Sequence, residues 1–221
     1  MTVRHDHIAF FDLDGTLLKV NSGKVLIRRA YQDRLISTLD MVHAIYLSLL
    51  YKYHLKETTR IVSQMPKWMA GMTEQKISDF GKKIFKDELV HLIRPEMVEE
   101  INKQKENNAR LVILSAAIPY ICEPLARHLK FDDIICTELE VADGILTGNT
   151  IGPICLKDEK PIQLKNYCML HNCSLKKAYY FGDSIEDLPA LNIVGYPVCI
   201  NPDKKLAKAA IRKGWTIHHW E

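Results

Sequence analysis

The sequence predicts an α/β protein: an open parallel sheet with helices on both faces and a helical lobe inserted after the first strand. Two observations predict it. Three short apolar runs each end in a polar residue: Ile8-Ala9-Phe10-Phe11 before Asp12-Leu13-Asp14-Gly15-Thr16, Leu111-Val112-Ile113-Leu114 before Ser115, and Tyr179-Tyr180-Phe181 before Gly182-Asp183. A parallel strand buried on both faces reads as such a continuous run. After Leu111 the chain then alternates between strand-like and helix-like segments, as α/β units do.

The first strand ends at Asp12, and the next convincing one begins only at Leu111. Connections in α/β units add about 2–6 residues outside their helix, so this gap is too long for a single crossover. The expected partition is 1–19 and 95–221 as the α/β core, with 20–94 as a helical cap. Within the insert, Leu35, Leu39, Val42, Tyr46, Leu49 and Tyr53 recur at steps of three and four, marking one helix face. Pro66 interrupts that pattern, and Gly71 followed by Thr73-Glu74 reads as a stop and restart. Pro95 opens a helix through Glu106 that returns to the sheet. The remaining elements are a helix from Pro119 to Leu129, a strand Ile134-Ile135-Cys136, and a hairpin from Glu138 to Gly148 turning at Asp143-Gly144. A helix from Pro161 to His171, the Tyr179 strand, a helix holding Asp187 to Leu191, the strand Val198-Cys199-Ile200 and a closing helix Asp203 to Arg212 follow.

Composition narrows the function classes. The chain has 221 residues, 47% hydrophobic and 26% charged, so it can bury a core. Its net charge is +3 with Lys and Arg dispersed, which gives no reason to expect a nucleic-acid partner. Lys176-Lys177 and Lys204-Lys205 read as solvated faces. The six cysteines form no CxxC pair and suit reduced thiols in a cytoplasmic protein. Cys168, His171 and Cys173 lack the second half of a zinc site, and His5-Asp6-His7 and His218-His219 read as exposed ends. The apolar run at Ile8 is too short for a secretory signal. Met41 to Tyr51 falls short of the about 20 apolar residues that a membrane span needs. A soluble protein is expected, and its oligomeric state is not legible.

Ligands of open α/β sheets sit beyond the carboxyl ends of the strands. If the three runs are neighbours, Asp12, Asp14, Ser115 and Asp183 converge. Displacement at phosphorus needs an in-line nucleophile, charge neutralisation and a proton for the leaving oxygen. Asp12 is ionised at neutral pH and can attack, while Asp14 is spaced to protonate the leaving alcohol and then activate water. Gly15 lets the backbone approach a phosphate, and Thr16 can hydrogen-bond at the loop start. Asp183 can share a cation with Asp12, and an all-oxygen set of this kind suits Mg²⁺ rather than zinc. Ser115, with the backbone N–H groups around Ala116, can hold a phosphoryl oxygen. Lys157, Lys160 and Lys165 are candidates for the charge-offsetting lysine, with Lys160 preferred at the start of its helix. Asp187 can orient that lysine or a metal-bound water.

FFDLDGTL, LSAA, Lys160 and FGDSIEDL, in that order, resemble the four motifs of the haloacid dehalogenase superfamily, nearest its phosphoserine-phosphatase-like branch (subfamily IB) with a helical cap. The resemblance covers most of 8–215. It implies a Rossmann-like open parallel sheet core with helices on both faces plus an inserted α-helical cap. It also implies Asp12 as nucleophile, Asp14 as acid/base, Ser115 and Lys160 as phosphate binders, and Asp183 as metal ligand together with the Asp14 backbone carbonyl. The expected activity is Mg²⁺-dependent hydrolysis of a small phosphomonoester through an aspartyl-phosphate. Gly182, Ser184 and Asp187 would support that set.

One departure bears on substrate. Phosphoserine phosphatases place a glutamate nine residues after the nucleophile to hold the substrate ammonium, and this chain has Asn21 there. A neutral amide cannot offset a desolvated ammonium as a carboxylate does, so phosphoserine is not the expected substrate. Arg60 is a further candidate for substrate selection. The stretch 35–55 admits two readings: it packs the cap bundle, or Tyr46, Tyr51, Tyr53, Lys52 and Lys56 meet a bilayer, which would suit a lipid phosphate such as phosphatidylglycerophosphate. Two further alternatives are a phosphotransferase using the same intermediate and a catalytically silent regulatory member of the fold.

Overall fold

The computed structural model describes residues 5–52, 61 and 63–220. Arg60, Tyr53 and Lys56 lie outside these residues, as do the side chains of Tyr51 and Lys52.

Six strands form one parallel sheet in the order β3-β2-β1-β6-β7-β8. They are β1 (His7–Phe11), β2 (Ala109–Leu114), β3 (Asp133–Ile135), β6 (Tyr179–Gly182), β7 (Tyr196–Ile200) and β8 (Thr216–His218). All five pairings are parallel. The three predicted runs are β2, β1 and β6, and they stand side by side in the middle of the sheet. Their side chains alternate between two cores. Phe11, Leu111, Ile113 and Phe181 lie in one, and Ile8, Phe10, Val112 and Tyr180 in the other. Helices α4 (Pro95–Glu106) and α5 (Pro119–Leu129) cover the first face through Met97, Ile101, Ile121 and Leu125. Helices α6 (Glu159–Leu170), α7 (Leu188–Leu191) and α8 (Lys204–Lys213) cover the second through Leu164, Leu191 and Leu206.

Between β1 and β2 lie α1 (Ser22–Gln32), α2 (Thr38–Lys52), a 3-10 turn (Met65–Met69) and α3 (Glu74–Asp87). The chain leaves and re-enters the sheet region through paired segments: Lys19 N–H donates to Leu92 O at 2.8 Å, and Arg94 N–H to Leu17 O at 2.9 Å. The inserted helices share the first core, with Val25, Leu26, Ile77, Phe80 and Ile84 packed into it.

Two expectations are corrected, and the predicted hairpin is found apart from the main sheet. The stripe chosen by helical spacing faces solvent: Leu39, Val42, Tyr46 and Leu49 are 81%, 58%, 50% and 48% exposed, whereas Leu47 and Leu50 are buried against Ile61. α2 is apolar around most of its circumference, so spacing alone could not say which side packs. Two of the histidines expected at exposed ends, His7 and His218, are partly buried and make structural contacts. His7 belongs to β1, where its Nε2 meets Gln104 Oε1 at 2.8 Å, and His218 belongs to β8, with its ring stacked on Trp220 at 5.0 Å. The hairpin β4 (Leu139–Ala142) and β5 (Ile145–Thr150) does not join the main sheet. It bonds to the insert, where Gly71 N–H donates to Leu146 O and Leu146 N–H to Met72 O, both at 2.9 Å.

Candidate active site

The site forms where β1, β2 and β6 end. Asp12 follows β1 directly and its N–H donates to Phe181 O at 2.9 Å, which ties the two strand ends together. One carboxylate oxygen each of Asp12, Asp183 and Asp187 lies within 4.8 Å of the others. Gly15 makes this closeness feasible. Its φ is +79°, a region open to glycine, and a Cβ there would lie 2.1 Å from Asp183 Oδ2.

Lys160 enters from the first turn of α6, only 3% exposed. Its Nζ donates to Asp12 Oδ1 at 2.7 Å, Asp187 Oδ1 at 2.6 Å and the Tyr180 hydroxyl at 3.1 Å. Three well-placed acceptors are the inventory a buried ammonium needs. Burial alone would discharge it, but Asp12 and Asp187 hold its pKa well above the ordinary lysine value. Lys157 pairs with Glu186 at 3.5 Å.

Asp187 is fully engaged. Oδ1 takes Lys160 and the Tyr180 hydroxyl (2.7 Å), while Oδ2 accepts the N–H groups of Asp183 (3.2 Å) and Ser184 (3.1 Å) and the Ser184 hydroxyl (3.3 Å). Gly182 makes room for it, because a Cβ there would come within 2.7 Å of the Asp187 carboxyl carbon. Burial pushes the Asp187 carboxyl up, but Lys160 and the other donors outweigh that and hold it below the usual range. Of the two roles expected for it, the bonding fits orienting the lysine.

The other carboxyls are poorly compensated. Burial pushes Asp12 up to about 7 against the attraction of Lys160. Burial, then the charges of Asp187 and Asp12, push Asp183 up to about 9. Asp14 is also raised by burial. One buried ammonium thus faces four carboxyl groups, and a hard cation between Asp12 and Asp183 would relieve the excess negative charge. The oxygen donor set fits such an ion.

Asp14 points at the start of α1. Its Oδ1 accepts Ser22 N–H at 2.8 Å and its Oδ2 accepts Asn21 Nδ2 at 3.0 Å. Thr16 is fully buried and its Oγ1 has no hydrogen-bond partner among the described residues. Ser115 caps β2, 2% exposed, with Ala116 half-buried beside it. The Ser115 N–H is already given to Ile135 O at 3.0 Å and Oγ accepts Ala117 N–H at 3.2 Å, so the hydroxyl proton is what Ser115 can offer a phosphoryl oxygen.

Three residues near the site escaped the sequence reading. Tyr180 braces Lys160 and Asp187; it shares a strand face with Gly182, and that alternation was the available signal. Ser22 gives its N–H to Asp14. Arg94 is 7% exposed, with Nε 3.4 Å from Gly15 O. Nothing in the sequence marks the last two.

A parallel sheet whose central strand ends bring three aspartates and a buried lysine together fits a hydrolase with a Rossmann-like core. The chain belongs to the haloacid dehalogenase-like hydrolases, whose family profile matches residues 9–192. It is similar to a histidinol-phosphatase of Neisseria meningitidis, 26% identical with 96% of this chain and 97% of that one aligned. It is also similar to a phosphoserine phosphatase of Mycobacterium tuberculosis, 28% identical over 95% of this chain and 69% of the relative. Among solved structures, a Bordetella pertussis protein of unknown function superposes with a TM-score of 0.87 at 21% identity, covering 98% of both chains. A phosphoserine phosphatase carrying an analogue of its phospho-aspartyl intermediate superposes with a TM-score of 0.69 at 15% identity, covering 97% of this chain and 92% of that one.

Proposed function

We propose that the protein is a Mg²⁺-dependent phosphomonoesterase in which Asp12 attacks phosphorus and forms an aspartyl-phosphate. The observation that carries this is the Lys160 ammonium bridging Asp12 and Asp187 while Asp183 stands within 4.8 Å of both. Asp12 and Asp183, with the Asp14 backbone carbonyl, are the residues that would hold Mg²⁺, which supplies charge neutralisation at the phosphoryl oxygens. Lys160 fixes the Asp12 carboxylate for in-line attack and adds positive charge where the transition state gathers negative charge. Ser115 donates to a phosphoryl oxygen. Asp14, raised by burial, protonates the departing alcohol and then takes a proton from the water that cleaves the acyl phosphate. An intact set of Asp12, Asp14, Lys160 and Asp183 argues against a silent regulatory role.

The substrate class we favour is a small phosphorylated metabolite other than phosphoserine. Residues 20–94 would form the cap that selects it, a division supported by the paired segments at Leu17–Lys19 and Leu92–Arg94. Position 21 offers an amide whose two ends are already bonded within the protein, so it supplies no charge to a substrate ammonium. A full-length relative named for histidinol phosphate makes that compound the first to try. A panel of phosphorylated metabolites, with and without Mg²⁺, tests the reading. No turnover of any member with Mg²⁺ refutes it, and phosphoserine as the preferred member refutes the substrate part.

A second reading rests on α2. Leu39, Val42, Ile45, Tyr46 and Leu49 expose a contiguous apolar stripe, which suits contact with a membrane surface and hence a lipid phosphate. Among the described residues no helix is long and apolar enough to cross a membrane. Flotation with anionic vesicles decides it, since protein that stays at the bottom of the gradient leaves only the soluble-metabolite reading.

A further inference from the structure

We infer that Asn21 is a positioning residue for Asp14, fixing the acid–base carboxylate rather than contacting substrate. Asn21 is the N-cap of α1: its Oδ1 accepts Lys24 N–H at 3.0 Å. That leaves the amide nitrogen, which points back across the loop to Asp14 Oδ2 at 3.0 Å. The next residue donates its backbone N–H to the other oxygen, Ser22 N to Asp14 Oδ1 at 2.8 Å. Consecutive residues therefore clamp both oxygens of one carboxylate. The clamp is itself anchored, because Ser22, Val25, Leu26 and Ala30 of α1 are buried.

The chemistry of an amide suits this task. Its NH₂ end only donates, so it orients Asp14 without competing for the proton that Asp14 must deliver. A carboxylate at position 21 would place like charge against Asp14 at the same separation. General acid–base efficiency depends on placing the group within hydrogen-bond reach of the reacting oxygen, so a carboxylate free to rotate loses rate without any loss of substrate affinity.

This inference rests on Asp14 acting as the acid–base, and the test separates the two. Asn21→Ser and Asn21→Thr keep a neutral side-chain oxygen that caps α1 while removing the amide donor. With Mg²⁺ present, kcat/KM is measured on p-nitrophenyl phosphate, glycerol 2-phosphate and phosphoethanolamine for both variants, wild type and Asp14→Asn. An aryl oxide departs without a proton and an alkoxide does not. The expected result is a loss of at least about tenfold on both alkyl esters, equal whether or not the ester carries an amine, with less than about threefold on the aryl ester; tenfold corresponds to about 1.4 kcal/mol of barrier. Phosphoenzyme from the aryl ester should also accumulate, because water activation is impaired too. A loss confined to the amine-bearing ester, equal loss on aryl and alkyl esters, or no loss overturns the assignment. If Asp14→Asn is selectively defective on alkyl esters while the Asn21 variants match wild type, only this inference falls. If Asp14→Asn keeps wild-type rates on alkyl esters, the acid–base reading and this inference fall together.

Discussion

Replacing Lys160 by methionine keeps the stem and removes the charge. In the wild type this ammonium holds three partners at 2.6–3.1 Å and is 3% exposed. Without it Asp12 and Asp187 face each other with no counter-charge, and breaking a buried pair in this way costs about 3–5 kcal/mol. The cost is pH-dependent and its sign can be worked out. Asp12 is already raised to about 7 with the lysine in place and rises further without it. A carboxyl whose folded pKa is raised above its unfolded value contributes stability that is fully present below the unfolded pKa and is lost as pH rises through the folded one. The variant should therefore be about 3 kcal/mol less stable than wild type at pH 8 and recover much of that by pH 5.5. In melting temperature the pH 8 loss is about 6–12 °C for a chain of this size. Aryl phosphatase turnover should fall about 10²–10³-fold, as when one transition-state donor is removed. Thermal and urea unfolding at the two pH values, with turnover in parallel, are the assays. A stability loss that does not change between pH 5.5 and 8, or none at all, would refute the view that Lys160 neutralises these carboxylates.

Asp187→Asn should act through the lysine: turnover falls at least about tenfold with KM changed less than about twofold, and a raised KM with unchanged kcat would contradict that placement. Metal-free protein should lose stability as pH rises from 6 to 9, because burial holds Asp12 and Asp183 up at about 7 and about 9 and no cation between them offsets the charge as they ionise. Mg²⁺ replaces those protons, so the gain in melting temperature on adding Mg²⁺ should grow over the same interval; a constant gain would count against these two residues as its holders. Gly195→Ala places a Cβ 1.9 Å from the Lys176 backbone carbonyl oxygen at the start of β7 and should cost about 1–3 kcal/mol in urea unfolding, with the metal response retained.

The strand ends at the candidate site were legible because burial on both faces leaves little ambiguity: β1, β2 and β6 run apolar into their carboxyl ends, so the polar residue that follows marks the sheet edge. β8 escaped because Thr216-Ile217-His218 is a three-residue edge strand, half polar and too short to show a period. The orientation of α2 was hidden for the opposite reason, since Leu39, Val42, Ile45, Leu47, Leu49 and Leu50 leave several equally plausible stripes. At the site, Lys160 was readable from its place at a helix start beside the sheet. The Asn21–Asp14 contact was not, because it depends on how the first turn of α1 folds back over the loop. The attachment of the hairpin to Gly71 and Met72 is likewise a long-range contact that local pattern does not encode.

The most direct test of the central claim is rapid acid quenching during turnover of a phosphate-labelled aryl ester with Mg²⁺, followed by peptide mapping. A hydroxylamine-sensitive label should appear on the peptide containing Asp12, absent from Asp12→Asn and prolonged in Asp14→Asn. Turnover with no labelled enzyme at any quench time, or a label on a different peptide, would contradict it.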